Sequence, residues 1–158
     1  MLYLKRAAGR IRQNKTAAGR AYTMILIAAL DDKNGMMFNH RRQSQDSQLR
    51  AHILNRTADS ALWMNAYSAK QFGACAEHPP VHVSESFLTE ADGAYCFVEN
   101  VDITPYMDRV EKIIIYRWNR VYPRDQVFPV DFSQWKRTSS TDFAGSSHEK
   151  ITEEVYEK

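Results

Sequence analysis

Two short stretches combine residue types that bind or transfer charged groups, and the first is VENVD at residues 98–102. It follows an apolar β-type run and precedes a Thr-Pro pair that favours a helix start. In a parallel α/β sheet such a turn often binds a phosphate, because glycines let the backbone approach the anion and the helix N-terminus attracts it. Here the turn carries Glu99 and Asn100 and no glycine, so a carboxylate stands where the anion would lie.

The second stretch, HRRQSQDSQLR at residues 40–50, surrounds one carboxylate, Asp46, with basic residues. A buried carboxylate can serve as an acid, because burial raises its pKa toward the working range. Asp46 also directly precedes a segment with helical spacing, so that it, or Ser44, can equally be the N-cap of that helix. The arginines of this stretch either receive an anionic ligand or form a solvated face.

The cysteines and histidines form no pattern typical of a metal site. Cys75 and Cys96 lie far apart without ligand spacing, which favours reduced thiols in a cytoplasmic protein. His78 and His82 straddle two prolines, so they cannot share one face of a helix. We therefore predict no metal.

A hydroxyl beside an imidazole occurs in AGSSHEK, where Ser146, Ser147 and His148 are adjacent. A nucleophile and its base must meet in space and need an acidic partner, and the sequence indicates none. We interpret this segment as the hairpin before the last strand.

The length and composition are typical of one globular domain. A chain of 158 residues can bury a sizeable single core, and a net charge of +2 argues neither for nucleic acid nor for an acidic partner. The longest apolar run, MILIAAL at residues 24–30, is too short to span a membrane. We expect no nucleic acid and no membrane as partners.

Residues 1–23 are basic and contain no acidic residue. We interpret them as an extension outside the fold, disordered or weakly helical, rather than as an arm for nucleic acid. The folded domain is then predicted over residues 24–158, and Met24 is a candidate translation start.

Runs of apolar and β-branched residues alternate with helical patterns along this domain. The helices are predicted after Ser44 or Asp46, in SAKQF, and at Thr104 with Pro105 at its first position; only a shortened helix fits FLTEADG. This order indicates a three-layer α/β domain with about seven or eight strands, mostly parallel, and an antiparallel C-terminal edge. The predicted strands lie at residues 24–30, 60–67, 80–86, 94–99, 112–118, 134–143 and 149–158.

Taken in chain order, several segments resemble the dihydrofolate reductase family. MILIAALDDKNGM resembles its opening strand and loop, WMNAYSAKQF its "hMGRkTWeSi" segment, and VHVSES the strand that follows. Residues 112–158 resemble its C-terminal part, with the Asp-x-x-Phe-Pro motif at residues 125–129, then Trp135 and Tyr156 in the family order. The resemblance covers residues 24–158 and implies that family's three-layer α/β/α fold.

The resemblance also implies an oxidoreductase that transfers hydride from NADPH to a pterin or folate. Asp46 would anchor the pterin, and Tyr116 occupies the position of the threonine that bonds both carboxylate and pterin. The implied substrate-binding residues are Ile27, Ala29, Arg50 and His78. The implied cofactor-binding residues are Ala28, Gly35, Ser68, Ser84, Glu99 and Asn100.

The sequence departs from the family at the turn after the fourth predicted strand, where the family has consecutive glycines against the pyrophosphate. A carboxylate about 4 Å from a phosphate costs about 4 kcal/mol at an effective dielectric of about 20. That cost weakens binding roughly a thousandfold, so the sequence predicts impaired NADPH binding in the usual mode. The alternative hypothesis is a non-catalytic protein of this fold that binds another small anionic ligand, or a protein partner, through residues 40–50.

Overall fold

Ten strands and three α-helices make up the part of the chain that the structure, a computed structural model, describes: residues 23–73 and 81–158. The strands are β1 (Met24–Leu30), β2 (Gly35–Phe38), β3 (Arg41–Arg42), β4 (Leu62–Met64), β5 (Val81–Val83), β6 (Ala94–Phe97), β7 (Val110–Arg117), β8 (Gln126–Val127), β9 (Lys136–Phe143) and β10 (Ile151–Glu157). The α-helices are α1 (Ser47–Arg56), α2 (Ala66–Phe72) and α3 (Phe87–Glu90).

The main sheet has seven strands in the order β5-β4-β6-β1-β7-β10-β9. Strand β1 pairs in parallel with β6 and β7, and β4 pairs in parallel with β5 and β6. Strand β10 pairs antiparallel with both β7 and β9. The predicted fold class, a mostly parallel sheet with an antiparallel C-terminal edge, is confirmed.

Apolar side chains cover both faces of the sheet, which explains the continuous apolar runs of β1 and β7. On one face, Leu49 and Ile53 of α1 and Phe72 of α2 pack over the sheet. On the other face, Phe87 and Leu88 of α3 join residues of the small sheet. Each of these large apolar side chains contributes about 1.5–3 kcal/mol when fully buried.

The small second sheet, with the order β3-β2-β8, did not figure in the sequence prediction. Asn39 and His40 connect β2 to β3, and both have positive φ angles, 53° and 61°. Two consecutive left-handed residues are typical of the tight turn that matches the twist of a hairpin. The hairpin places Arg42 of β3 opposite Met37 of β2.

Several predicted elements differ from the structure; the strand predicted at residues 80–86, for example, ends at Val83. The helix predicted at Thr104 is a 3₁₀ helix, Thr104–Arg109, rather than an α-helix. Its N-cap is Ile103, whereas the prediction placed Thr104 at the cap and Pro105 at the first helical position. The predicted strand at residues 60–67 is shorter, because Asn65 caps α2 by accepting a hydrogen bond from the backbone N–H of Ser68. Asparagine at an N-cap ends the extended segment and starts the helix.

Among the described residues, no helix is both long enough and apolar enough to cross a bilayer. The same residues contain no group of three or more His, Cys, Asp or Glu side chains that could hold a metal ion. Strand β1 begins at Met24 as predicted. The proposed basic extension and Cys75 lie outside the described residues apart from Thr23, so the domain boundary stays a prediction.

Candidate functional site

Asp46 is the N-cap of α1, the second of the two roles that the sequence left open for it. Its side chain is fully buried, and both of its oxygens accept several hydrogen bonds. Two backbone donors belong to α1 and three belong to the loop before β10. The five backbone donors are the N–H groups of Gln48, Leu49, Ser146, Ser147 and His148.

These contacts keep Asp46 ionised. Burial alone would raise the pKa of Asp46, but hydrogen bonds from the backbone of Ser146 and Ser147 and from the His148 side chain outweigh it. The pKa therefore lies far below the usual range of an aspartate. An acid that anchors and helps protonate a substrate needs the opposite shift, so the role of Asp46 as the pterin anchor stays a prediction that this geometry does not favour.

His148 connects Asp46 to two hydroxyl groups. Its Nδ1 lies 3.1 Å from Asp46 Oδ2, and its Nε2 lies 2.8 Å from the hydroxyl of Tyr122 and 3.2 Å from Oγ of Ser44. His148 as a whole is 4% exposed, and its ring stacks on Trp118 with 4.4 Å between the ring centroids. We call Ser44, Asp46, Tyr122 and His148 the His148 cluster.

Tyr116 is fully buried on β7, and its hydroxyl makes its hydrogen bonds away from Asp46. It donates to Glu153 Oε2 at 2.8 Å and lies 3.1 Å from His52 Nδ1. Burial, and then the negative charge of Glu153, raise the pKa of Tyr116 above its usual value. The structure therefore does not bring the two predicted catalytic residues, Asp46 and Tyr116, into contact.

The turn after β6 contains the carboxylate of Glu99, which is 9% exposed and paired within the protein. Arg42 donates to it twice, from Nε to Oε2 at 2.9 Å and from Nη2 to Oε1 at 3.2 Å. Gln71 of α2 donates a third hydrogen bond at 2.9 Å. The Arg42 guanidinium also lies over the ring of Tyr67, 4.4 Å from its centroid.

The guanidinium and the carboxylate stabilise each other in this pair. Burial disfavours the charged form of Arg42, but the hydrogen bond and charge of Glu99 outweigh it and raise the pKa of Arg42 above its usual value. Two parallel N–H···O bonds between arginine and a carboxylate are the geometry in which arginine also binds phosphate. Glu99 thus occupies the anion position of Arg42.

Three other predicted cofactor residues lie around α2 or at the end of β5. Asn100 accepts a hydrogen bond from Asn65 at 2.9 Å, and Asn65 in turn caps α2 at Ser68. The Ser68 hydroxyl is buried and has no hydrogen-bond partner among the residues that the structure describes. Ser84 differs, because its hydroxyl donates to Glu90 at 2.8 Å.

The predicted residues of β1 and β2 lie in the sheets. Ile27 is fully buried and Ala29 half-buried on the face that α1 covers, and Ala28 lies in the core of the opposite face. Gly35 starts β2, where a Cβ atom would meet the side chains of Gln43 and Arg124. This close approach gives Gly35 a packing role.

The two remaining predicted substrate residues are basic. Arg50 is half-buried on α1, and its Nη1 donates to Oε1 of Gln45 at 3.2 Å. His78 lies outside the described residues.

The residues present do not fit NADPH in the mode that the family resemblance implies. A carboxylate paired with Arg42 occupies the turn that would receive the pyrophosphate. The unpaired hydroxyl of Ser68 is the observation that favours a ligand nearby. One hydroxyl does not replace the free anion position that Glu99 fills.

Comparison with solved structures identifies the fold. A dihydrofolate reductase from Enterococcus faecalis, solved in complex with NADP(H) and RAB-propyl, aligns with a TM-score of 0.60 over 85% of this chain and 95% of that chain. The fold is that of dihydrofolate reductase. The two sequences are 12% identical, and no protein-family model and no curated protein matches this chain by sequence.

Sequence reasoning missed the role of His148 and the pairing of Arg42 with Glu99. His148 was noted beside two serines, but its acidic partner lies 102 positions earlier in the chain. Arg42 and Glu99 are 57 positions apart. The basic residues at 40–50 and the carboxylate at 99 were the available signals, and only the fold shows that they meet.

Proposed function

We propose that this chain is a dihydrofolate reductase-fold binding protein that has lost NADPH-dependent hydride transfer. The observation that carries the proposal is the bidentate pair of Arg42 and Glu99, whose side chains are 20% and 9% exposed. A dinucleotide phosphate entering this turn would have to displace the Glu99 carboxylate from the guanidinium.

The cost of that displacement is substantial. Separating a mostly buried ion pair so that one charge is left unpaired costs about 3–5 kcal/mol. Because Arg42 is partly exposed to solvent, we expect the lower part of that range. A phosphate could replace Glu99 as the partner of Arg42, but the displaced carboxylate would stay nearby and repel it.

The environment of Asp46 supports the same conclusion from the substrate side. Its oxygens already accept five backbone N–H groups as well as the imidazole of His148. An ionised carboxylate only accepts hydrogen bonds, and this one has little capacity left for a pterin ring. Hydride transfer that depends on a protonated pterin therefore lacks its acid.

The ligand of this proposal is a small anion that binds the basic segment, residues 40–50. Arg41 is exposed in this segment, and Arg50 is half-buried beside Gln45. Within residues 23–73 and 81–158, neither guanidinium is paired with a carboxylate as Arg42 is. A protein partner at the same segment is the second form of this hypothesis.

The second candidate function is the one that the sequence resemblance implies, NADPH-dependent reduction of a pterin or folate. One observation favours it: a solved structure of the same fold is a complex with NADP(H). The buried, unpaired hydroxyl of Ser68 is a further donor that a bound ligand could use.

Titration with NADPH separates the two candidates. Energy transfer from Trp63, Trp118 or Trp135 to the reduced nicotinamide reports binding, with the Enterococcus faecalis enzyme as the positive control. We expect no saturable signal up to millimolar NADPH and no oxidation of NADPH when dihydrofolate is added. Micromolar binding together with turnover would overturn the proposal in favour of the reductase.

A further inference from the structure

We propose that Ser44, His148 and Asp46 form a nucleophilic site that hydrolyses small esters. Asp46 Oδ2 faces His148 Nδ1 at 3.1 Å, and His148 Nε2 faces Ser44 Oγ at 3.2 Å. This is the order of contacts that activates a serine: carboxylate, imidazole, hydroxyl. The hydrolytic site rests on the His148 cluster and not on the function proposed above; only the substrate class uses the charge of residues 40–50.

Asp46 fixes the proton of His148 on Nδ1. An ionised carboxylate can only accept, so the ring nitrogen that faces Asp46 must carry the hydrogen. In the neutral ring Nε2 is then the acceptor, which is the form that takes a proton from a serine. The backbone N–H groups of Ser147 and His148, at 2.8 and 3.1 Å from Oδ2, hold the carboxylate in place.

The close packing of the loop before β10 maintains this arrangement. A Cβ atom on Gly145 would lie 2.6 Å from Asp46 Oδ2 and 2.7 Å from the carbonyl oxygen of His148. Trp118 stacks on the face of the imidazole, and His148 as a whole is 4% exposed. A rotamer fixed by packing and by a second hydrogen bond is what a general base requires.

The nucleophile is Ser44 because it lies at the accessible end of the cluster. Its side chain is half-buried, and the next residue, Gln45, is exposed. Tyr122 competes with Ser44 for Nε2, since its hydroxyl lies 2.8 Å from the same atom. With Tyr122 in place, the base is shared between two hydroxyl groups.

The reaction needs only an ester and water. Ser44 Oγ forms a bond to the carbonyl carbon while its proton moves to His148 Nε2. The bond from that carbon to the leaving oxygen then breaks, and the leaving alcohol takes the proton from Nε2. Water attacks the acyl-serine with His148 as base, the bond to Oγ breaks, and Oγ regains its proton.

The substrate class follows from the charge around Ser44. The segment at residues 40–50 contains three arginines, and of these Arg42 is neutralised by Glu99. Arg41 and Arg50 leave the segment positively charged. We infer an ester whose acyl group carries a carboxylate, since a positive field attracts such a substrate.

A fluorophosphonate probe tests the assignment on the full chain. Ser44 should form a covalent phosphonate that intact-protein and peptide mass spectrometry locate, and Ser44→Ala should abolish it. The protein should hydrolyse the monoester of 4-nitrophenol with succinate faster than 4-nitrophenyl acetate. His148→Asn should lower the labelling rate by about a hundredfold or more, the usual contribution of a general base.

Asp46 is a positioning residue in this site, so its test needs a readout that loss of structure would not give. Asp46→Asn presents an amide to Nδ1, which favours the tautomer with the proton on Nε2. We expect the ¹⁵N chemical shifts of Nδ1 and Nε2 to swap values. The rate at which the probe labels Ser44 should fall although Ser44 itself is unchanged. Unchanged shifts with unchanged labelling would overturn the role of Asp46.

Two further variants keep the proposal refutable if the His148 variant does not fold. Ser47→Ala is the matched control, because Ser47 is exposed and, within the described part of the chain, its hydroxyl bonds only the Ser146 hydroxyl. It should label like the parent. Tyr122→Phe leaves Ser44 as the hydroxyl on Nε2 and should raise the labelling rate. No labelling of the folded parent chain, labelling at another residue, or slower labelling of Tyr122→Phe would each refute the site as proposed.

Discussion

Replacing Glu99 with glycine tests whether its pair with Arg42 prevents a phosphate from binding at the turn after β6. Glu99→Gly restores the residue type that the family has in this turn and removes a carboxylate that is 9% exposed. The Arg42 guanidinium keeps two contacts with Tyr67: its Nη2 donates to the backbone carbonyl oxygen at 3.2 Å, and it lies over the ring. The substitution therefore leaves a positioned guanidinium without its anion.

The expected magnitude follows from the geometry. A carboxylate about 4 Å from a phosphate contributes about 4 kcal/mol of repulsion at an effective dielectric of about 20. Solvent near Arg42, whose side chain is 20% exposed, reduces this value. We expect a gain of about 1.4–3 kcal/mol, which is roughly a 10- to 150-fold lower Kd for NADPH or for inorganic pyrophosphate.

The same variant should be less stable. Removing one partner of a mostly buried ion pair costs about 3–5 kcal/mol, and the partial exposure of Arg42 favours the lower end. Glu99→Gln is the matched control: it keeps the shape, and its amide oxygen can still accept from Arg42 Nε and from Gln71, but it removes the charge and the acceptor for Arg42 Nη2. The Glu99→Gly variant should then bind NADPH and pyrophosphate more tightly than Glu99→Gln, because glycine also frees the space that the side chain at position 99 fills.

Isothermal titration calorimetry with pyrophosphate and with NADPH measures both affinities, and thermal unfolding shows that each variant is folded. If folded Glu99→Gly binds neither ligand better than the parent chain, the pair with Arg42 is not what closes this turn. The proposed function would then lose the observation on which it rests.

Two further predictions concern Asp46 and the loop that surrounds it. Because the pKa of Asp46 is depressed in the folded protein, its ionised carboxylate stabilises the fold fully above the pKa of an unfolded aspartate, about 3.9. This contribution to the free energy of unfolding is lost as the pH falls from about 3.9 toward the pKa of the folded state. Denaturant titrations from about pH 6 down to about pH 2 should show the free energy of unfolding falling more steeply for the parent than for Asp46→Asn. Equal slopes would contradict the depressed pKa of Asp46. Gly145→Ala should destabilise the protein by about 1–3 kcal/mol through overpacking against Asp46, measured by chemical unfolding, and a stability equal to that of the parent would contradict the contact distances.

The parts of the fold that could be predicted are those in which local sequence determines structure. Strand β1 is the clearest case, because its apolar run fits a strand covered on both faces and its bounds agree with the prediction. The start of α1 was narrowed to Ser44 or Asp46, and the carboxylate is the cap. Choosing between them needed the backbone geometry.

The misses have physical causes that a single sequence hides. Thr104 and Pro105 are good helix-start residues, yet residues 104–109 form a 3₁₀ helix. Asp102 accepts a hydrogen bond from the backbone N–H of Thr104 and fixes the chain there in a local turn. The small sheet was missed because its strands are two to four residues long, too short for a period to be visible.

For the candidate site, the sequence pointed to two carboxylates but not to their partners. The sequence singled out Glu99 and Asp46 as the carboxylates at the two ligand positions that the family resemblance implies. It could not show that donors from distant parts of the chain satisfy both, Arg42 in one case and the loop at residues 145–148 in the other. A carboxylate's function depends on whether its partner is a ligand or the protein itself, and partners this far apart in sequence are visible only after folding.

The two carboxylates differ in what their partners leave available. Glu99 binds a guanidinium that can exchange one anion for another, so removing Glu99 should create a binding site. Asp46 binds backbone N–H groups and an imidazole whose far nitrogen, Nε2, still faces two hydroxyl groups. The first carboxylate therefore closes a site by occupying it, whereas the second orients a base toward Ser44. Under the two proposals made above, Glu99 fills the anion position at the turn after β6, and the chemistry of the chain is centred on His148.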